Sequence, residues 1–219
     1  KLGHSLDVGR YREAIRAIRQ QVGEELIIQI TTEAVGIYNR EQQIQAVQEL
    51  RPEAVSLAIR EISPAGVDEK VSAEFFSFLH REGIAPQYIL YTREDILHFK
   101  NLLERGIIPD DSISVLLVLG RYTENQQSNA ADIAPLLCHL PKVQYWSLCA
   151  FGSSEADCML EAIRLGGHCR VGFENNLLMS DGTLAADNAA LVKAVCDGTL
   201  LLDPTVASAN DARRMLGLR

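Results

Sequence analysis

Short apolar runs alternate with longer stretches of helical periodicity along most of this chain. After a loop at Lys1–Val8, Asp7 stands where a helix cap belongs, and Tyr11, Ala14, Ile15 and Ile18 form one stripe of a helix from about Gly9 to Val22. ELIIQITT then reads as a strand ending at Thr31 or Thr32, and Arg40–Leu50 as an amphipathic helix closed by Arg51-Pro52. The order repeats. Strands are predicted at EAVSLAI (Glu53–Ile59), PQYILY (Pro86–Tyr91), SISVLLVLG (Ser112–Gly120), VQYWSLCA (Val143–Ala150) and HCRVGFE (His168–Glu174). Helices are predicted at Asp68–Gly83, Arg93–Gly106, Ser154–Gly167 and near Ala130–His139, Asn188–Cys196 and Ser208–Leu216. Six strands with centres roughly 24–33 residues apart, each followed by a helix, predict a parallel sheet with helical crossovers.

A doubly wound open sheet accommodates six strands, whereas a TIM barrel needs eight. No glycine-rich dinucleotide turn follows any strand, and polar residues recur at alternate strand positions: Gln29 with Thr31, Ser56 with Arg60, His168 with Arg170. The chain also opens on a helix without its strand. These features favour an α/β (β/α)8 TIM barrel as a single domain over residues 1–219, of which the chain supplies about the last six βα units. The missing N-terminal units are then expected upstream of Lys1; if 219 residues are the whole protein, the open sheet returns.

Composition narrows the function. With 47% apolar and 23% charged residues the chain has an ordinary soluble, globular composition. A net charge of -8 argues against a nucleic-acid or anionic-membrane surface. The apolar runs fall far short of the ~20 residues that span a bilayer, and no signal-peptide pattern is seen, so a cytoplasmic protein is expected. Five cysteines without a CxxC spacing read as buried reduced thiols, all but Cys196 lying within or beside apolar segments. HExxH, HxH, GxGxxG and GxSxG are absent, so the chain alone shows no full set of metal ligands.

In a barrel, chemistry gathers at the carboxyl ends of the strands. Candidates there are Thr31, Thr32 and Glu33, then Ser56, Ala58 and Arg60, with Thr31 and Ser56 readable either as substrate contacts or as lining hydroxyls. Ser154 and Asp157 form a plausible capping box, with anion binding as the alternative. In HCRVGFE, His168, Arg170, Gly172 and Glu174 share one strand face. His168, at the start of the strand, reads as a hydrogen-bonded core histidine. Glu174, at its end, suits a metal ligand or a base. An extended strand would hold Arg170 and Glu174 about 13 Å apart, too far for an easy ion pair and room enough for a small anion between them.

GGHCRVGFENNLLMSDGTLAADNAALVKAV, Gly166–Val195, closely resembles the terminal segment of the beta-keto acid cleavage enzymes, the family of the 3-keto-5-aminohexanoate cleavage enzyme. Weaker similarity covers LDVGRYREAIRAIR, ELIIQITT, RPEAVSLAI, VQYWSLCAFG and ANDARRMLGL. The resemblance implies a zinc-dependent TIM barrel, usually a homotetramer, that condenses a small beta-keto acid with acetyl-CoA to give acetoacetate and a CoA ester. It implies Glu174 as a zinc ligand, a His-x-His pair expected upstream of Lys1, and Arg170 as the group that orients the substrate carboxylate. The family usually carries aspartate after the ligand glutamate, taking part in proton transfer; this chain has Asn175, which cannot accept a proton as a base. Ile89 stands where most members place an acidic residue, and the glycine-rich turns are replaced by Thr31–Gly36 and Arg121–Gln127. The readings are therefore a divergent enzyme, a catalytically inactive barrel that binds a small carboxylic acid, or another metal-dependent aldolase or lyase.

Overall fold

Burial follows the apolar runs. In the computed structural model, which describes residues 4–109, 113–199 and 205–218, the elements are α1 (Val8–Val22), β1 (Gln29–Thr31), α2 (Arg40–Leu50), β2 (Ala54–Ala58), α3 (Ile59–Ile62), α4 (Lys70–Glu82), β3 (Ala85–Leu90) and α5 (Arg93–Glu104). They continue with β4 (Ser114–Leu119), α6 (Ile133–Leu137), β5 (Tyr145–Ala150), α7 (Glu155–Arg164), β6 (His168–Arg170), α8 (Asn188–Gly198) and α9 (Ala209–Met215). Six parallel strands linked by helices make an α/β, TIM-like arrangement. The chain forms two compact units: Lys1–Ile89 with His98–Ile113 and Ala207–Arg219, and Leu90–Leu97 with Ser114–Val206.

In the first unit β2 pairs in parallel with β1 and β3, with Thr31 opposite Ser56 and Ala58 opposite Ile89. Every residue of β2 is buried, as a parallel strand covered on both faces requires. Behind it Phe76, Tyr88 and Phe99 form a row with centroid spacings of 5.8 and 5.2 Å. Asp7 caps α1 by accepting the Arg10 amide at 2.8 Å, as its position predicts. The apolar stripe of α1 is only partly used: Tyr11 and Ile15 are half-buried, while Ala14 and Ile18 are exposed. The strand expected to run to Ile59 stops at Ala58, because Ile59 and Ile62 are buried by turning into α3. Arg60 therefore sits on a helix, and its alternation with Ser56 is not a strand pattern.

In the second unit β5 lies between β4 and β6, with Leu119 opposite Ala150 and Cys149 opposite Arg170. The three strands thus end nearly level. β4 is buried throughout, and α7 covers β5 and β6 with Cys158, Met159 and Ala162. The helix expected near Ala130–His139 begins as a 3-10 turn at Ala130–Asp132 and is helical only to Leu137. Cys138, just beyond it, is exposed, contrary to the reading of buried thiols; Cys149 and Cys158 are buried, and all five are free. Among the described residues, no helix is long and apolar enough to cross a membrane.

Candidate active site

The carboxyl ends of β4, β5 and β6 in the second unit gather Arg121, Phe151, Gly152, Arg170, Glu174 and Asn175. β6 stops at Arg170, and Gly172 bends the chain at a φ of 152°, a conformation that side chains rarely adopt. Its carbonyl accepts the amides of Asn175 at 2.9 Å and Asn176 at 3.1 Å, closing a single turn. That turn folds Glu174 back onto the strand end, where its Oε2 accepts from Arg170 Nη2 at 2.6 Å. The separation of about 13 Å expected for an extended strand is therefore overturned. Nor is this a core pair, since the side chains are 30% and 62% exposed for Arg170 and Glu174.

Beneath the turn lies Glu155, in the first turn of α7 and only 2% exposed. Its Oε1 accepts the Gly172 amide at 3.3 Å and its Oε2 accepts Asn176 Nδ2 at 3.2 Å. Burial pushes its carboxyl above the ordinary carboxylate range, against the lowering effect of those two bonds. Cys149, opposite Arg170, has its thiol pushed up to about 12, first by burial; Arg170 and Arg121 pull it down, while Glu174 and Glu155 push it up. A second cation stands at the rim, with the Arg121 guanidinium 5.3 Å from the centre of the Phe151 ring. Gly152 donates to the Asn175 carbonyl at 3.1 Å, and a Cβ on Gly152 would come within 2.7 Å of the Gln126 carbonyl oxygen. Asn175 itself is 7% exposed, and its Nδ2 has no hydrogen-bond partner among the described residues.

Other predicted residues fall differently. Ser154 does not cap α7: its backbone, at φ −83° and ψ 10°, lacks the extended geometry of a capping residue, and its side chain makes no cap bond. His168 is exposed, its ring 5.9 Å from that of Tyr145, and is not a core histidine. Thr31 and Ser56 lie in the first unit. The Thr31 carbonyl accepts the Tyr11 hydroxyl at 2.6 Å and its Oγ1 accepts the Glu33 amide at 3.3 Å. Ser56, 4% exposed, donates to the Ile30 carbonyl at 3.4 Å. Beside them the Gln43 amide, in the orientation that satisfies its neighbours, donates to the Thr32 carbonyl at 2.7 Å and to Glu61 at 3.2 Å. Burial raises the Glu61 carboxyl, partly countered by the Ala34 amide that it accepts at 3.0 Å. Neither Glu61, Gln43, Glu155 nor Asn176 is singled out by sequence pattern, because each is a polar residue whose burial only the fold decides.

A zinc centre needs three or four protein donors. Among the described residues no group of three or more His, Cys, Asp or Glu gathers to hold a metal, and one oxygen of Glu174 is taken by Arg170. The described residues thus do not by themselves fit a zinc site.

The family model of the beta-keto acid cleavage enzymes matches residues 2–218. The 3-keto-5-aminohexanoate cleavage enzyme of Fusobacterium nucleatum is 28% identical, with 97% of this chain and 78% of that one covered. Its counterpart from Acetoanaerobium sticklandii is 26% identical over 95% and 77%. A 3-oxoadipate:acetyl-CoA acetyltransferase from Cupriavidus necator is 25% identical over 98% and 76%. Among solved structures, a type I 3-dehydroquinate dehydratase from Clostridium difficile superposes with a TM-score of 0.60 at 10% identity, covering 90% of this chain and 76% of its own. That last likeness is one of fold alone.

Proposed function

The chain belongs to the beta-keto acid cleavage enzyme family, and on that premise we propose that it condenses a small beta-keto acid with acetyl-CoA, giving acetoacetate and a new CoA ester. One observation carries the reading: Arg170, at the end of β6, is held by a carboxylate that is itself mostly exposed. An exposed pair of this kind contributes only about 0.5–1 kcal/mol, so a substrate carboxylate displaces Glu174 at small cost. It then gains the two parallel N–H donors of the guanidinium. Glu174, once released, is free to act elsewhere in the site. The relative named for acetyl-CoA transfer supports acetyl-CoA as the second substrate. A homotetrameric assembly and zinc dependence belong to the same proposal, with Glu174 as one ligand and the further ligands lying outside the described residues. Thr31 and Ser56 belong to the proposal as substrate contacts: the Thr31 hydroxyl accepts the Glu33 amide and keeps its own hydrogen to donate, and the Ser56 hydroxyl donates to the Ile30 carbonyl and keeps its lone pairs to accept. The test is incubation with acetyl-CoA and a panel of beta-keto acids, with and without added zinc, following acetoacetate and the CoA ester by mass spectrometry. Acetoacetate is expected, and its absence with every keto acid sinks the reading.

A second reading, a barrel that binds a small carboxylic acid without turning it over, is favoured by Asn175. Its amide cannot take up a proton, while its buried Nδ2 is a donor ready for a ligand oxygen. Turnover that disappears in Glu174→Ala excludes this alternative.

A further inference from the structure

We propose that Glu155 is a positioning residue, whose buried carboxylate fixes the turn that presents Glu174 and Asn175. The proposal rests on the reading of Arg170, Glu174 and Asn175 as the substrate site. Its basis is how the turn is held. Gly172 and Asn176, at its two ends, both donate to Glu155, one to each carboxylate oxygen. Asn176 also accepts the Leu178 amide at 2.9 Å and donates to the Leu178 carbonyl at 2.6 Å, which extends the clamp to the following segment. Between the ends, the Phe173 amide donates to Asn188 Oδ1 at 2.8 Å, and the Asn175 carbonyl accepts from Gly152. The backbone of the turn is thus tied from several sides, while the Glu174 side chain reaches outward to Arg170.

Packing does not call for a carboxylate at this point. Burying one is costly, and a well-packed apolar residue would fill the space with less penalty. What a carboxylate supplies is two acceptor oxygens at a fixed spacing, and these meet the backbone amide at the start of the turn and the side-chain carboxamide at its end. The clamp sets the direction of Glu174 and Asn175 while leaving Glu174 able to exchange partners.

Hydrogen–deuterium exchange without substrate tests the clamp, on peptides covering residues 172–176 and, as a control, β4. Glu155→Ala is expected to speed exchange in the turn about tenfold or more, the size of losing charge-assisted hydrogen bonds, with β4 unchanged. Glu155→Gln keeps one acceptor oxygen and is expected to fall between; should the alanine variant fail to fold, the glutamine variant carries the test by the same comparison with wild type. In turnover, Glu155→Ala is expected to lower kcat about tenfold with KM for acetyl-CoA held, and Glu155→Gln to recover part of it. Unchanged protection of the turn, or equal loss of protection in the turn and β4, overturns the proposal. A wild-type protein without turnover refutes the proposed reaction instead, and the exchange result then decides the clamp alone.

Discussion

If the Arg170–Glu174 pair is the resting occupant of a carboxylate site, removing its acidic partner should tighten the binding of a small acid. Glu174→Gln takes away the competing charge without changing the side chain's size. The side chains are 30% and 62% exposed, which places the pair among surface bridges of about 0.5–1 kcal/mol. Released from that competition, Arg170 should bind acetoacetate roughly two- to fivefold more tightly in the variant. Calorimetry on metal-free protein in a chelating buffer isolates this effect from any ligand role of Glu174. The gain should shrink at 1 M salt, where the screening length falls to about 3 Å. Equal or weaker binding by the variant, or no binding by either protein, would refute the idea that Glu174 occupies the place of a substrate carboxylate.

Three further outcomes are expected. Asn175→Asp supplies the missing proton acceptor beside Glu174 and should raise turnover with acetyl-CoA and a keto acid by about tenfold or more; unchanged rates would show that position 175 does not limit the reaction. Glu53 accepts from Arg19, from Arg213 Nε at 2.7 Å and from the Ile28 amide at 3.5 Å. Burial would push its carboxyl up, but the bonds from Arg213, Ile28 and Arg19 outweigh it and hold it below the usual range. With the folded value depressed, its stabilising effect is present above the ordinary carboxylate pKa and is lost as pH falls through the folded value. Thermal melts should therefore find Glu53→Gln less stable at pH 7 by about 1–2 kcal/mol, with the gap to wild type closing in acid. Gly167→Ala would drive a methyl group into the Trp146 indole, whose Cζ2 would lie 2.5 Å away. Denaturant titration should show a loss of about 1–3 kcal/mol, and a neutral result would mean that Trp146 moves freely aside.

The βα order was legible because periodicity and burial are the same fact seen twice. Arg40–Leu50 is a helix over the predicted residues, since Asn39 caps it and its apolar positions Ile44, Ala46 and Val47 are buried. The all-apolar run at β4 marks a strand covered on both faces. Where a turn intervenes, alternation misleads. HCRVGFE alternates to its end, yet only its first three residues form a strand, because Gly172 admits a backbone angle that the two-residue period cannot register.

By itself the sequence determined the order of elements, the parallel class and the membership of Arg170, Glu174 and Asn175 in one local motif. These follow from local propensity and from residues near in the chain. Only the tertiary structure decided that Glu174 folds back onto Arg170, and that Glu155, on a separate helix, lies beneath the turn that carries it. A buried carboxylate 17 residues from its partner amide leaves no periodic trace in a sequence, since its position depends on how α7 packs on β5 and β6.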